Sequence, residues 1–400
     1  MRWPDGFWWG TGASSAQTEG ASPASDWWDW EQAGRVPISG AGNGFATRYA
    51  EDFALLADLG LTHHRLSIDW ARIEPEEGHR DEAAVQHYRA VLSAAREAGI
   101  EPWVTLHHFV LPRWVAARGG FLHEPNRTEA WARHVDFMAD TYGDLVYGWK
   151  PVNEFNIFPL LAYRLGSIPP GHQDADEWAT ATEAVHLATA EAGARLRQTG
   201  KPVCAIFNLA GIVVLDDDPE SRRQADRMHT TGYDLGLELL REGRLSVPER
   251  EPIDRPDLAG WADLVGFSYY FTFAFGEGRL QTYPAGARTS PLGYGIHAEG
   301  VGLVLDDLHR LAPELPIVVA EYGIGTDDDE ERAGYLRVGL ATVHEAIERG
   351  VDVRGFFHWT AVDNYEWAHG YDVRFGIIDG DRNVRPSADV LRAEAAPPGA

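Results

Sequence analysis

Along the chain, helical and strand periodicities alternate, and glycine marks the change from one to the other. Four segments, ADLG-LTHHRLSI, REAG-IEPWVTL, RQTG-KPVCAIF and IERG-VDVRGFF, carry a helical pattern that stops at a glycine and opens at once into an apolar, β-branched run. A left-handed helix cap feeding a strand through a short loop has this signature. Residues 82–98 set Val85, Tyr88, Leu92 and Ala95 at helical spacing. Further strands are predicted at FWWGTG near residue 7, DLVYGWKPVN near 144, DLVGFSYY near 263 and LPIVVAEYG near 315. Strands that are apolar almost throughout, alternating with amphipathic helices, predict a parallel sheet covered by helices. Eight such units favour closure into an α/β barrel of the (β/α)8, or TIM, type. An open doubly wound sheet is the alternative, but no Gly-x-Gly-x-x-Gly follows the first strand. The barrel is expected to use residues 1–390 as one domain and to leave 391–400, ending in APPGA, as a disordered tail.

Charge narrows the partners. The net charge is −26, from 35 basic and 61 acidic residues, which would repel nucleic acid and anionic membrane; a small neutral substrate fits better. Lys150 and Lys201 are the only lysines, so Schiff-base chemistry, as in an aldolase-like barrel, has two candidates. Lys150 falls on the same strand face as Val152 and Glu154 but deeper, where access is poor. A single cysteine, Cys204, excludes an intrachain disulfide framework and a multi-cysteine metal site. Neither a signal-peptide-like start nor a membrane-length apolar run is present, so a cytoplasmic location is expected. The acidic runs at 216–218 and 327–331 read as loop and helix-start residues.

In a barrel the carboxyl ends of the strands face one pocket, so polar residues are best collected by strand end. That gives Gln17 after the first strand, Arg65 in the second, His107 and His108 after the third, Asn153 and Glu154 after the fourth, Tyr270 after the sixth, Glu321 after the seventh and Trp359 after the eighth. Two glutamates converge there with an arginine and a tyrosine. Such a pair suits glycosidic cleavage, in which one carboxyl protonates the leaving oxygen and the other meets the developing oxocarbenium ion. Arg65 and Tyr270 would keep Glu321 anionic as the nucleophile, and Glu154, beside neutral Asn153, would stay protonated as the acid. The two carboxyls are then expected about 5 to 5.5 Å apart. The pairs His63-His64 and His107-His108 point to opposite faces of their strands and lack a third ligand at matching spacing, so no metal is expected. Trp27, Trp28 and Trp30 are candidates for the cleft entrance.

The collected residues sit in stretches that resemble glycoside hydrolase family 1, the β-glucosidase and β-glycosidase family: FWWGTGASSAQTEG, RLSIDWARIEPEEG, TLHHFVLPRWV, PVNEF, VVAEYG and GFFHWTAVDNYEWAHGYDVRFG, in the family's order over about residues 7 to 390. The resemblance implies a retaining, exo-acting β-glycosidase without a cofactor. It implies Glu154 as acid/base, Glu321 as nucleophile, Arg65 and Tyr270 as its holders, and Asn153 as partner of the sugar 2-hydroxyl. Gln17, His108, Glu366 and Trp367 would read the other hydroxyls, with Trp359 as the platform under the ring. The chain departs from the family at Phe155, Tyr322 and Ser268, in place of proline, asparagine and asparagine. Phe109 and Val110 stand where tryptophan and aspartate are common. These changes are expected at the cleft mouth. In relatives that accept 6-phosphoglycosides, a serine, a lysine and a tyrosine form the phosphate pocket; Glu366, Val373 and Phe375 stand in those places here. A transglycosidase using the same glutamates and a non-catalytic sugar-binding barrel are the remaining alternatives.

Overall fold

The chain turns from helix into strand at the four predicted glycines: Gly60, Gly99, Gly200 and Gly350 adopt φ of 78°, 78°, 73° and 98°, values that residues with a Cβ reach only under strain. The computed structural model describes residues 1–396. Its main sheet consists of β1 (Trp8–Gly12), β2 (His63–Ser67), β3 (Glu101–His107), β4 (Gly148–Val152), β5 (Cys204–Asn208), β6 (Leu264–Tyr269), β7 (Ile317–Tyr322) and β8 (Val353–Trp359). The spatial order is β4-β3-β2-β1-β8-β7-β6-β5, with parallel neighbours throughout. The seam between β4 and β5 is closed by a parallel bridge, Trp149 to Val203, where the Trp149 amide donates to the Pro202 carbonyl at 2.8 Å. The expected eight-stranded barrel is formed.

Each strand is followed by a covering helix: α1 (Phe45–Asp58), α2 (Glu82–Glu97), α3 (Ala132–Tyr142), α4 (Ala175–Leu196), α5 (Leu235–Glu242), α6 (Val301–Leu311), α7 (Asp329–Glu348) and α8 (Ala388–Ala395). In α2 the expected stripe of Val85, Tyr88, Leu92 and Ala95 is buried, and the Asp81 carboxylate caps the first turn by accepting from the Ala83 and Ala84 amides. The acidic run at 327–331 starts α7, with Asp328 as its cap. Helix α8 corrects the expected boundary of the domain. It runs five residues into the supposed tail because Ala388 and Leu391 bury apolar surface, and Glu394 accepts from the Trp3 indole at 2.9 Å. Residues 397–400, the end of APPGA, lie outside the described residues.

The barrel's lower interior is packed with Trp103, Cys204, Ile206, Leu264, Val318, Ala320 and Phe357. Lys150 enters this layer with its ammonium 4.8 Å from the Phe357 ring centroid and 5.4 Å from that of Trp103. Burial, followed by the Arg65 charge, lowers its pKa to about 7. The lysine is buried, and the Trp103 and Phe357 rings around its ammonium place it in the layer beneath the cleft. His63 and His64 separate as strand alternation requires. His63 lies inside against Tyr147 at 4.9 Å, whereas His64 is held outside by the Thr11 hydroxyl at 2.8 Å and by Phe53. A small three-stranded sheet of Gly211–Val214, Thr272–Gly276 and Arg279–Gln281 stands beside the barrel mouth, against the helix Pro219–His229. Among the described residues no helix is long and apolar enough to cross a membrane.

Candidate active site

At the carboxyl ends of the strands the apolar interior gives way to a buried polar cleft, and its centre is Arg65. From β2, with no exposed surface, the guanidinium donates through Nη2 to Glu321 Oε1 and through Nη1 to Asn153 Oδ1 at 2.5 Å. The Tyr270 hydroxyl donates to the other carboxylate oxygen of Glu321, Oε2, at 2.5 Å. Burial and the charges of Glu321 and Glu154 raise the Tyr270 pKa, so the phenol remains a donor. Both oxygens of Glu321 are therefore engaged by donors, an arrangement that favours its anion.

Glu154 has the opposite environment. Among the described residues no cation pairs with it, and burial followed by the Glu321 charge raises its pKa to about 8, with the facing Ser268 and Asn208 side chains and Arg65 only partly offsetting the rise. The two carboxyls of one cleft thus differ in surroundings: Glu321 is held directly by Arg65 and Tyr270, whereas Glu154 is held by no ion pair and is pushed towards its neutral form.

How Asn153 and Glu154, adjacent in sequence, both face the cleft is a backbone question, since neighbouring side chains on a strand point to opposite faces. The Asn153 amide extends the pairing by donating to the His107 carbonyl at 2.9 Å. Glu154 then adopts φ of 50°, which breaks the alternation at a cost of about 1–3 kcal/mol. The same device recurs at Phe109, with φ of 66° after His108, and at Trp367, with φ of 44° after Glu366. Each lets two consecutive side chains serve one cleft.

The rest of the cleft is a wall of aromatic and amide groups. Trp359 at the end of β8 has the Arg65 guanidinium 5.3 Å from its ring centroid. His108 stacks between Trp359 and Trp367, at 6.1 and 6.0 Å. Its Nε2 lies 3.3 Å from the Asn153 amide nitrogen, while its Nδ1 has no protein partner. Burial and Arg65 keep its pKa well below the ordinary histidine range, so the ring is neutral. Gln17 donates to the Tyr365 carbonyl at 2.9 Å and to Glu366 Oε2 at 3.2 Å. Burial and the charges of Glu321 and Glu154 raise Glu366 to about 8, so its carboxyl is largely protonated at neutral pH.

All ten residues singled out from the sequence as catalytic or sugar-binding meet in this cleft. His107 does not: its Nδ1 meets the Val110 carbonyl at 3.2 Å and its ring packs on Phe158 and Phe121, away from the cleft. Two of the departures also lie away from the mouth, contrary to expectation. Phe155 is buried in the outer layer against Phe207 and His186, and the Tyr322 hydroxyl shares its one hydrogen between the Ala298 and Tyr335 carbonyls, 3.0 and 3.1 Å away behind β7. Phe109 does reach the mouth, 5.7 Å from Trp367. Of the three entrance tryptophans, Trp27 is buried and edges Trp367 at 4.7 Å, supporting it from behind. Asn208, which ends the fifth strand in CAIFN, also faces Glu154, and the strand-end rule applies to it equally.

The fold and this cleft define a sugar-cleaving barrel, and comparison with known proteins agrees. The sequence profile of glycosyl hydrolase family 1 matches residues 1–394, and the chain belongs to that family; it is a glycoside hydrolase. It is 27% identical to β-glucosidase A of Thermotoga maritima over 96% of this chain and 94% of that one. It is 30% identical to a chloroplastic galactolipid galactosyltransferase of Arabidopsis thaliana over 83% of this chain and 54% of that one. Among solved structures, the β-glycosidase from Pyrococcus horikoshii superposes with a TM-score of 0.90 at 29% identity, covering 98% of this chain and 94% of the other.

Proposed function

We propose that the protein is a retaining, exo-acting β-glycosidase, β-glucosidase-like in substrate, that works by double displacement. The observation that carries the proposal is the contrast between Glu321, held by Arg65 and Tyr270, and Glu154, raised to about 8. Glu321 attacks the anomeric carbon while Glu154 gives its proton to the glycosidic oxygen; the bond to the leaving group breaks and a glycosyl ester forms on Glu321. Glu154, now a carboxylate, takes a proton from water, which attacks the same carbon and frees Glu321. Arg65 steadies the nucleophile, and Asn153, held by Arg65, presents its amide to the 2-hydroxyl. Gln17, His108, Glu366 and Trp367 bond the remaining hydroxyls over the face of Trp359.

The rate on β-glucosides is expected to fall as pH rises through about 8, because the first step needs the proton on Glu154. A kcat/KM profile that stays level to about pH 10 contradicts this assignment.

Plain glucosides are expected to be cleaved well, and 6-phosphoglucosides at least about tenfold less efficiently. The phosphate would meet the buried carboxyl of Glu366 beside Val373 and Phe375, which are 3% and 1% exposed and can donate no hydrogen bond. The check is kcat/KM for nitrophenyl β-glucoside against its 6-phosphate; preference for the phosphate would overturn this reading.

Transfer to an alcohol or sugar acceptor uses the same two glutamates, and the likeness to a galactosyltransferase supports it as a second reading. Product analysis at rising acceptor concentration separates the two.

A further inference from the structure

On the acid side of the cleft lies a cavity of about 380 Å³, within the roughly 300–1,000 Å³ of small-molecule sites. Its apolar wall comes from Trp178 on α4, Ile212, Met228 and the alternating Phe271, Phe273 and Phe275. The three phenylalanines form a rail, with successive ring centroids 4.8 and 6.3 Å apart, and Phe271 and Phe273 keep part of their surface exposed. Exposed aromatic surface gathered along one cavity marks a binding site more often than a chance arrangement.

The cavity is joined to the cleft by its lining. Asn208, which faces Glu154, belongs to it, as do Asn156 and Ile157 just after Glu154 in the chain. Phe271 directly follows Tyr270. Next to Glu154 the polar rim is already satisfied: Asn156 donates to the Asn208 and Gly232 carbonyls at 2.9 and 3.1 Å and accepts from the Asn208 amide at 2.9 Å, and the charged Arg227 stands at the exposed outer edge. A second sugar placed here would give up hydrogen bonds to water and find few in return.

We propose that this cavity receives the leaving group, and that the leaving group is apolar, an aryl or alkyl aglycone rather than another sugar. The proposal rests on the glycosidase reading above. With the sugar ring over Trp359 and the glycosidic oxygen at Glu154, the aglycone extends past Asn208 along the phenylalanine rail.

The test is a series of alkyl β-glucosides from methyl to hexyl, in which the acidity of the leaving alcohol scarcely changes. For the unmodified enzyme, kcat/KM is expected to rise by up to about fourfold per methylene, reaching at least about tenfold from methyl to hexyl, with cellobiose no better than the methyl glucoside. Gly232 lines the cavity and a Cβ there meets no atom within 4 Å, so Gly232→Leu has room to narrow it; the hexyl-to-methyl ratio is expected to drop to within about twofold. Met228→Trp fills the same space from another wall and should do likewise. Level rates along the series, a preference for cellobiose, or an unchanged ratio in both variants would overturn the proposal. Absence of hydrolysis for every glucoside would overturn the glycosidase reading itself, so the two failures are distinct.

Discussion

Glu321→Gly is expected to lower kcat on nitrophenyl β-glucoside by about 10⁴-fold or more, the scale on which removal of a nucleophile acts. Added azide should restore turnover, because the small anion fits the space left by the carboxylate and reaches the same carbon. The resulting glycosyl azide should have the α configuration, having been formed by one displacement instead of two. Loss of the carboxylate also strips the buried Arg65 of its ion-pair partner, which costs about 3–5 kcal/mol of stability. A circular dichroism spectrum at the assay temperature therefore accompanies the kinetics. A folded variant with activity near that of the unmodified enzyme would show that Glu321 is not the nucleophile.

Glu154→Gln should separate substrates by their leaving groups. An alkyl glucoside, whose alkoxide is a poor leaving group, needs the proton and is expected to lose about 10²–10⁴ in kcat/KM. A dinitrophenyl glucoside departs without protonation, so its glycosylation step should change little. The descent in rate through about pH 8 that Glu154 imposes should vanish for the activated substrate. Equal losses for both leaving groups would exclude Glu154 as the acid.

Both variants rest on residues found by a rule of position in the fold, and the reach of that rule explains what the sequence discloses. Glycines 60, 99, 200 and 350 are legible because a helix that must turn into a strand within a residue or two calls for positive φ. The strands are legible because both of their faces are buried. Arg65, Glu154, Tyr270, Glu321 and Trp359 follow from strand ends alone, whereas Glu366 and Trp367 lie in a long loop after β8 and are found only by resemblance. Periodicity conceals the positive φ of Phe109, Glu154 and Trp367, since strain imposed by tertiary contacts leaves no local residue preference. The residue after each glutamate, Phe155 or Tyr322, faces the helices, so a change of type there alters packing and not the cleft. Helix α8 is built largely of strong helix formers, ADVLRAEA, but at eight residues it is stable only because Ala388 and Leu391 are buried, which composition does not disclose.

The central claim is that Glu154 and Glu321 act in two successive displacements at one carbon, and the anomer released first reports on it directly. Proton NMR of nitrophenyl β-glucoside hydrolysis, recorded before mutarotation, should show β-glucose appearing first and α-glucose growing in later at the rate of spontaneous mutarotation. Initial release of α-glucose would mean a single displacement by water, and would contradict the double-displacement account.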